Sequence, residues 1–369
     1  MSTMPNTETI DPPDVETIKV KDDRPMLKRL TNARPFTDLG VLEPIVYDDP
    51  RVEDYAKKTN SLRIYVRSAY RFQKLRIALG NRICATFRYK LGLQPSQKES
   101  EDAQASKILK TIREEYDTLM DGILELPTTA AFFKNKEGNI TQLAELMLLD
   151  QYEQVVKLER QQFDMLATLL EEFPIYTEFL SKIYGIGPAM AAVIVSEINI
   201  YKAKYPSSLE RLTGIDTIRV VDNVTGEERD EGRSNREAHL VIRTYVDKNG
   251  ETKTKRSIAY NPFLKTKVMG VLAPILIKIG KSINKETGEI TYKNKYAKVF
   301  DDYRSRKRNE ITPFYRTPIH IRNMSMRYMI KAFYKDLYDN WRALEGLPVH
   351  PSYAEAKLGM NPHKSPSTT

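Results

Sequence analysis

Between residues 141 and 173 the positions Leu149, Tyr152, Val156, Glu159, Phe163, Leu166, Leu170 and Phe173 follow alternating steps of three and four, and only Glu159 among them is polar. A chain with this seam must form a long helix there, with one stripe covered by another helix. About three heptads is near the minimum for a coiled coil. The cover is therefore either a second copy, giving a homo-oligomer through the 149–173 helix, or another helix of the same chain. Pro174 closes the run.

Other segments repeat the helical signature. Leu62, Tyr65, Ala69, Phe72, Leu75 and Leu79 recur at helical spacing, with Arg63, Arg67, Arg71 and Lys74 along a different face, until Gly92 and Pro95 end the pattern. Further helices are expected over 101–126 before Pro127, over 262–279, and over 319–345, where Tyr328, Phe333, Leu337, Trp341 and Leu344 form an apolar face. Residues 239–246 and 251–260 alternate as strands around Asp247-Lys248-Asn249-Gly250, and Asn-Gly is a strong hairpin signal because both residues tolerate positive φ. Thr217–Asp222, with a turn at Thr225-Gly226, adds a strand, and Thr287-Gly288 marks another turn. Residues 1–60, rich in prolines and acids without apolar period, read as a largely extended tail. The expected architecture is mostly α: a helical and coiled-coil region over 61–180, a second domain over 181–350 with a small antiparallel β insertion at 217–260, and a C-terminal tail over 351–369.

Charge is segregated. Residues 253–335 hold 20 Lys and Arg against 5 Asp and Glu, a local +15 that leaves −6 for the other 286 residues of a chain with net charge +9. Residues 61–90 add eight basic side chains and no acid. Such clustering is the pattern of a phosphate-binding protein rather than of a uniformly basic one. The single cysteine, Cys84, excludes an internal disulfide, and no Cys/His grouping has zinc spacing, so neither metal nor cofactor is expected. No run of 18 apolar residues and no secretory leader is present, so the chain is expected to be cytoplasmic or nucleoid-associated, away from membranes.

Residues 183–198 read IYGIGPAMAAVIVSEI. Gly185 and Gly187 flank an isoleucine, Pro188 suits a first helical turn, and Ala189, Ala191 and Ala192 allow close helix approach. This is the hairpin of a helix-hairpin-helix element, whose use is to offer backbone N–H groups and a positive helix end to a nucleic-acid phosphate.

The longer stretch GIGPAMAAVIVSEINIYKAKYPSSLERLTGID resembles the C-terminal domain of the bridge-RNA-guided insertion-sequence transposases, the 110/116/902 insertion-sequence family. The matching residues are Gly185, Gly187, Pro188, Ala191, Ala192, Glu197, Ile198, Tyr205, Leu212, Gly214, Ile215 and Asp216. KRSIAYNPFLKTKVMGVLA is similar to that family's basic-serine and Asn-x-x-Leu-Arg segment through Arg256, Ser257, Asn261, Leu264 and Lys267. The resemblance covers about residues 140–345 and implies DNA recombination guided by a structured RNA. Two departures stand out. No βαβ pattern before residue 140 offers the family's ribonuclease-H-like acidic domain, and Asp48, Asp49, Glu53 and Asp54 read as solvated charge. A β insertion of some forty residues also separates Asp216 from Ser257.

A serine that attacks a phosphodiester needs a base or cations to stabilise its alkoxide. Ser234 lies between Arg233 and Arg236 in DEGRSNRE, where the resemblance places a nucleophile, and is the first candidate; Ser257, after Lys255 and Arg256, is the second. The nucleic-acid-binding set is Gly185, Gly187, Arg63, Arg67, Arg71, Lys74, Arg233, Arg236, Lys255, Arg256, Lys265, Lys267, Arg304, Arg306, Lys307, Arg308 and Arg322. His239, His320, His350 and His363 are scattered, with His320 opening the last helix. The functional expectation is a transposase-like protein of a mobile element that binds DNA, with a structured RNA as a further expected partner; the alternatives are a non-catalytic DNA- or RNA-binding architectural protein and a coiled-coil assembly protein.

Overall fold

The computed structural model of the chain describes residues 27–28, 49–93, 101–134, 137–222, 228–232, 240–258, 260–310 and 317–352. These residues are mostly helical, with small antiparallel sheets. They divide into two compact units, one holding three strands and the other all remaining elements.

In the three-stranded unit, β1 (Leu27–Lys28) pairs with β2 (Thr217–Asp222), which pairs with β3 (Glu228–Gly232), both antiparallel. The expected 217–260 insertion is therefore not one piece. Its first part joins a strand from the segment expected to be tail, a long-range pairing with no local signal.

In the helical unit, α1 (Arg51–Phe87) begins well before the expected boundary at residue 61. The Asp49 carboxylate accepts from the Arg51 backbone N–H at 3.0 Å, and Glu53 and Asp54 favour the positive end of the helix. These acids thus open a helix. The early turns are held by distant groups: the Tyr55 hydroxyl donates to the Val195 carbonyl at 3.0 Å, and its ring meets Phe173 and Trp341 edge-on.

Helix α1 runs antiparallel to α3 (Leu143–Leu170), with Tyr55 against Phe173 at one end and Gly80 against Tyr152 farther along. Along the seam Leu149, Tyr152, Leu166, Leu170 and Phe173 are buried, and Glu159 is answered by the Arg76 guanidinium at 2.6 Å. The cover is therefore a helix of the same chain. This occupies the surface on which the expected homo-oligomer rested.

Two apolar clusters lie along this helix pair. One joins the C-terminal part of α1 and the N-terminal part of α3 to α2 (Glu101–Met120). The other joins the opposite ends to α5 (Pro188–Glu197), α6 (Pro206–Thr213), α9 (Lys295–Asn309) and α10 (Pro318–Leu344). Residues on both sides of the expected boundary at residue 180 share this second cluster. Helix α5 is apolar all round, and every residue from Met190 to Glu197 is buried, as befits a helix enclosed by others. On α10, Phe333, Leu337 and Trp341 are buried as the periodicity predicts, whereas Leu344 is exposed.

The expected 262–279 helix forms as α7 (Pro262–Lys267) and α8 (Ala273–Ile279), joined without a break by a π-helical turn at Val268–Leu272. The hairpin of β4 (Leu240–Val246) and β5 (Thr252–Ile258) forms as read, and β6 (Lys281–Ile283) pairs with β7 (Ile290–Tyr292) around Gly288 at φ 71°. Gly214 ends α6 at φ 67°, where a Cβ would stand 2.6 Å from the Tyr260 ring; this position admits only glycine. Of the expected tails, residues 1–48 apart from β1, and 353–369, lie outside the described residues.

Candidate nucleic-acid interface

The glycine hairpin comes first. Ahead of it a short helix α4 (Pro174–Glu178) and a 3-10 turn (Leu180–Lys182) lead to Gly185 at φ 109°, a backbone conformation that side chains other than glycine's rarely adopt. Gly187 precedes Pro188 at the start of α5, exposed and with open space where a Cβ would be. Lys293 lies over the Tyr184 ring at 5.3 Å, and the Asn294 amide donates to the Tyr184 carbonyl at 2.9 Å.

At the other end of α5, about 15 Å away for ten residues at 1.5 Å each, stands Glu197. Its carboxylate accepts from Arg67 and from the Asn261 amide, each at 2.6 Å. Asn261 in turn caps α7, its side-chain oxygen accepting from the Phe263 and Leu264 N–H groups at 3.1 Å. Three residues of the resemblance, Glu197, Asn261 and Leu264, thus meet at one point. Arg63 donates to the Ser196 carbonyl at 2.7 Å. Arg63 and Arg67, expected to bind phosphates, bond to the C-terminal end of α5 and tie α1 to it.

Four other cations have no such anchor. Lys265 and Lys267, two residues apart on α7, diverge to its two neighbours. Lys267 lies 3.2 Å from the centre of the Tyr70 ring on α1, and its ammonium is held below its ordinary pKa by burial and by the charge of Lys74. Lys265 is likewise lowered by burial and by Arg327 on α10, against a smaller opposing pull from Asp216. Burial also lowers Arg327. Among the described residues none of Lys74, Lys265, Lys267 and Arg327 forms an ion pair with a carboxylate. Half-buried cations that repel one another are costly unless an anion joins them.

Next to Arg327, Tyr328 stacks on Tyr303 of α9 with ring centres 4.2 Å apart, and the Arg306 guanidinium covers Tyr303 at 4.9 Å. Arg308 and Arg322 are exposed, as are Arg71 and Lys74 on α1. Lys307 is tied to Glu310 at 2.7 Å, whereas Arg304 lies 5.9 Å from the centre of the Phe300 ring with its buried Nε lacking a hydrogen-bond partner among the described residues. His320 is exposed, and its N–H donates to the Thr317 cap at 3.1 Å.

Ser234, Arg233 and Arg236 lie outside the described residues. Lys255 is exposed on β5; Ser257 and Arg256 stand in the same strand opposite Val241 and Ile242. The aromatic shelf of Tyr70 and Phe263 beneath Lys267 and Arg67 went unread in the sequence, because its members are nearly two hundred residues apart.

No protein-family model, curated protein or solved structure matches this chain. Among the described residues no helix is long and apolar enough to cross a membrane.

Proposed function

We propose that the chain binds nucleic acid along α1, α7 and α10 and acts on DNA as a transposase-like protein of a mobile element, with a structured RNA as a further partner. The observation that carries the binding reading is the half-buried set Lys265, Lys267 and Arg327 with exposed Lys74 beside it, in which the repulsion of Lys74 on Lys267 and of Arg327 on Lys265 outweighs the pull of Asp216 and is relieved by a polyanion. The resemblance supports the DNA-recombination reading, since Glu197, Asn261, Leu264 and Lys267 gather around the first turns of α7. It likewise supports reading the Gly185–Gly187 turn as part of a helix-hairpin-helix element.

A titration of affinity against salt tests the binding. Each neutralised phosphate on duplex DNA contributes a slope of about −0.9 in log affinity against log salt, so these four cations give roughly −3.6. Affinity that does not change between low and physiological salt refutes the interface.

The chemistry separates recombinase from architectural binder. With Ser234 as nucleophile, its oxygen bonds to phosphorus as the phosphodiester's bond to one sugar oxygen breaks, that oxygen leaving as a sugar hydroxyl with the serine's proton. Arg233 and Arg236 neutralise the attacked phosphate, and wild-type protein forms a denaturant-resistant adduct with DNA recovered from its host. The Ser234→Ala variant loses that adduct and keeps binding within a few fold, because the hydroxyl contributes about 1 kcal/mol at most. Equal adduct from both proteins transfers the role to another residue, with Ser257 next to be tested. No adduct from wild type leaves the architectural reading.

A further inference from the structure

The four cations of this site fall into two pairs, one on each flank of α7. Two residues along a helix turn the side chain by about 200°, so Lys265 and Lys267 leave α7 in opposite directions. Lys265 meets the charge of Arg327 on α10, and Lys267 meets that of Lys74 on α1. Each pair therefore presents one place for an anion. A helix with its side chains, about 10–12 Å across, separates the two places.

Between the pairs runs the open side of α7. Pro262, Thr266 and Gly270, four residues apart, are all exposed, and a Cβ built at Gly270 would meet nothing within 4 Å. This ridge carries no charge and no large side chain, and the Thr266 hydroxyl already donates to the Pro262 carbonyl at 2.8 Å. The rings beside α7, in contrast, are covered by cations. Lys267 lies 3.2 Å from the centre of Tyr70, Lys265 4.4 Å from that of Tyr260, and Arg67 3.7 Å from that of Phe263. Tyr260 is also packed against Gly214. Proteins that hold single strands stack unpaired bases on bare aromatic faces, and these rings offer none.

We infer that the polyanion is duplex DNA, with the ridge of α7 in its major groove, Lys265 and Arg327 on the phosphates of one strand, and Lys267 and Lys74 on those of the other. A groove about 12 Å wide admits a helix, whereas the minor groove, at about 6 Å, does not. The deep, narrow major groove of duplex RNA excludes the same ridge. With the Thr266 hydroxyl engaged and proline and glycine as its companions, the ridge offers base edges no donor. Phosphates therefore supply most of the affinity, and base sequence alters it little.

The inference rests on the nucleic-acid reading above, and its test keeps the two apart. Affinities of the full chain for duplex DNA, single-stranded DNA of the same sequence and duplex RNA are compared with those of a Thr266→Trp variant, and thermal melting monitors the fold of both proteins. Duplex DNA is expected to bind about tenfold or more tighter than either other form, with competition by methyl green in the major groove and none by distamycin in the minor groove. In the variant the indole crowds the groove and supplies the missing platform. Duplex affinity then falls by about tenfold while single-strand affinity rises by about fivefold or more, a crossover that misfolding does not produce. Salt-dependent binding that is equal or tighter on single strands or duplex RNA, competition by distamycin instead of methyl green, or an unchanged variant overturns the duplex assignment alone. Failure of the wild-type chain to bind any nucleic acid overturns both readings.

Discussion

Replacing Lys267 and Arg327 together by glutamate lowers affinity for duplex DNA by about 100-fold or more at 50 mM salt, since each phosphate contact at that salt is worth roughly 15-fold by counterion release. The salt slope falls by about two contacts at the same time. A purely structural role for these residues would also weaken binding, by unfolding the site. The Lys267→Met/Arg327→Met variant resolves this, because stability then moves in the opposite direction from binding. Both cations are held below their ordinary pKa values, so the folded state is less favourable for their charged forms than the unfolded chain is. Their burial costs stability at neutral pH, and for Lys267 that cost fades only as pH rises toward 10.5. Methionine keeps the apolar stem beside Tyr70 and removes the charge. Its melting temperature is expected to equal or exceed wild type while binding is lost. A melting temperature several degrees lower, with affinity intact, would assign the two residues to the fold.

Glu197→Ala is expected to destabilise the helical unit by about 2–4 kcal/mol, because it leaves the Asn261 amide and the Arg67 guanidinium without the acceptor they share. The Glu197 side chain is only 4% exposed, so water does not replace the lost carboxylate easily. For a chain of this size the loss corresponds to a melting temperature lower by roughly 3–6 °C. Glu197→Gln keeps one acceptor and the shape, and falls between. Calorimetry of the three proteins checks the order. An alanine variant as stable as wild type would show that the Arg67–Glu197–Asn261 bridge does not hold α7 in place.

The helices were legible where one face is apolar and local. The periodicities starting at Leu62 and Leu149 and the apolar face of α10 are satisfied within a few turns, and the Asn-Gly hairpin needs only its own residues. What stayed hidden depends on distant partners. The start of α1 at Arg51 relies on Val195, Phe173 and Trp341 receiving Tyr55, and β2 relies on Leu27 and Lys28. The basic residues were countable, but their division into helix anchors and unpaired cations was not. Arg63 and Lys74 share the same helix and differ only in whether a carbonyl of α5 lies within reach.

The carboxylate of Glu159 helps make the pairing of α1 with α3 single-valued. Both helices offer long apolar stripes, and stripes of that kind slide past each other by a turn or a heptad at modest cost. Any such slide would carry Glu159 away from Arg76 and leave its buried carboxyl without that partner. The pair stands near the waist between the two apolar clusters, and it shares the setting of their alignment with Lys90 against Glu145 at one end of α1 and Arg67 against Glu197 toward the other. Because the azimuth of α1 is fixed with its alignment, the direction in which Tyr70 and Lys74 face α7 is decided in part some distance away, by a charge that touches neither.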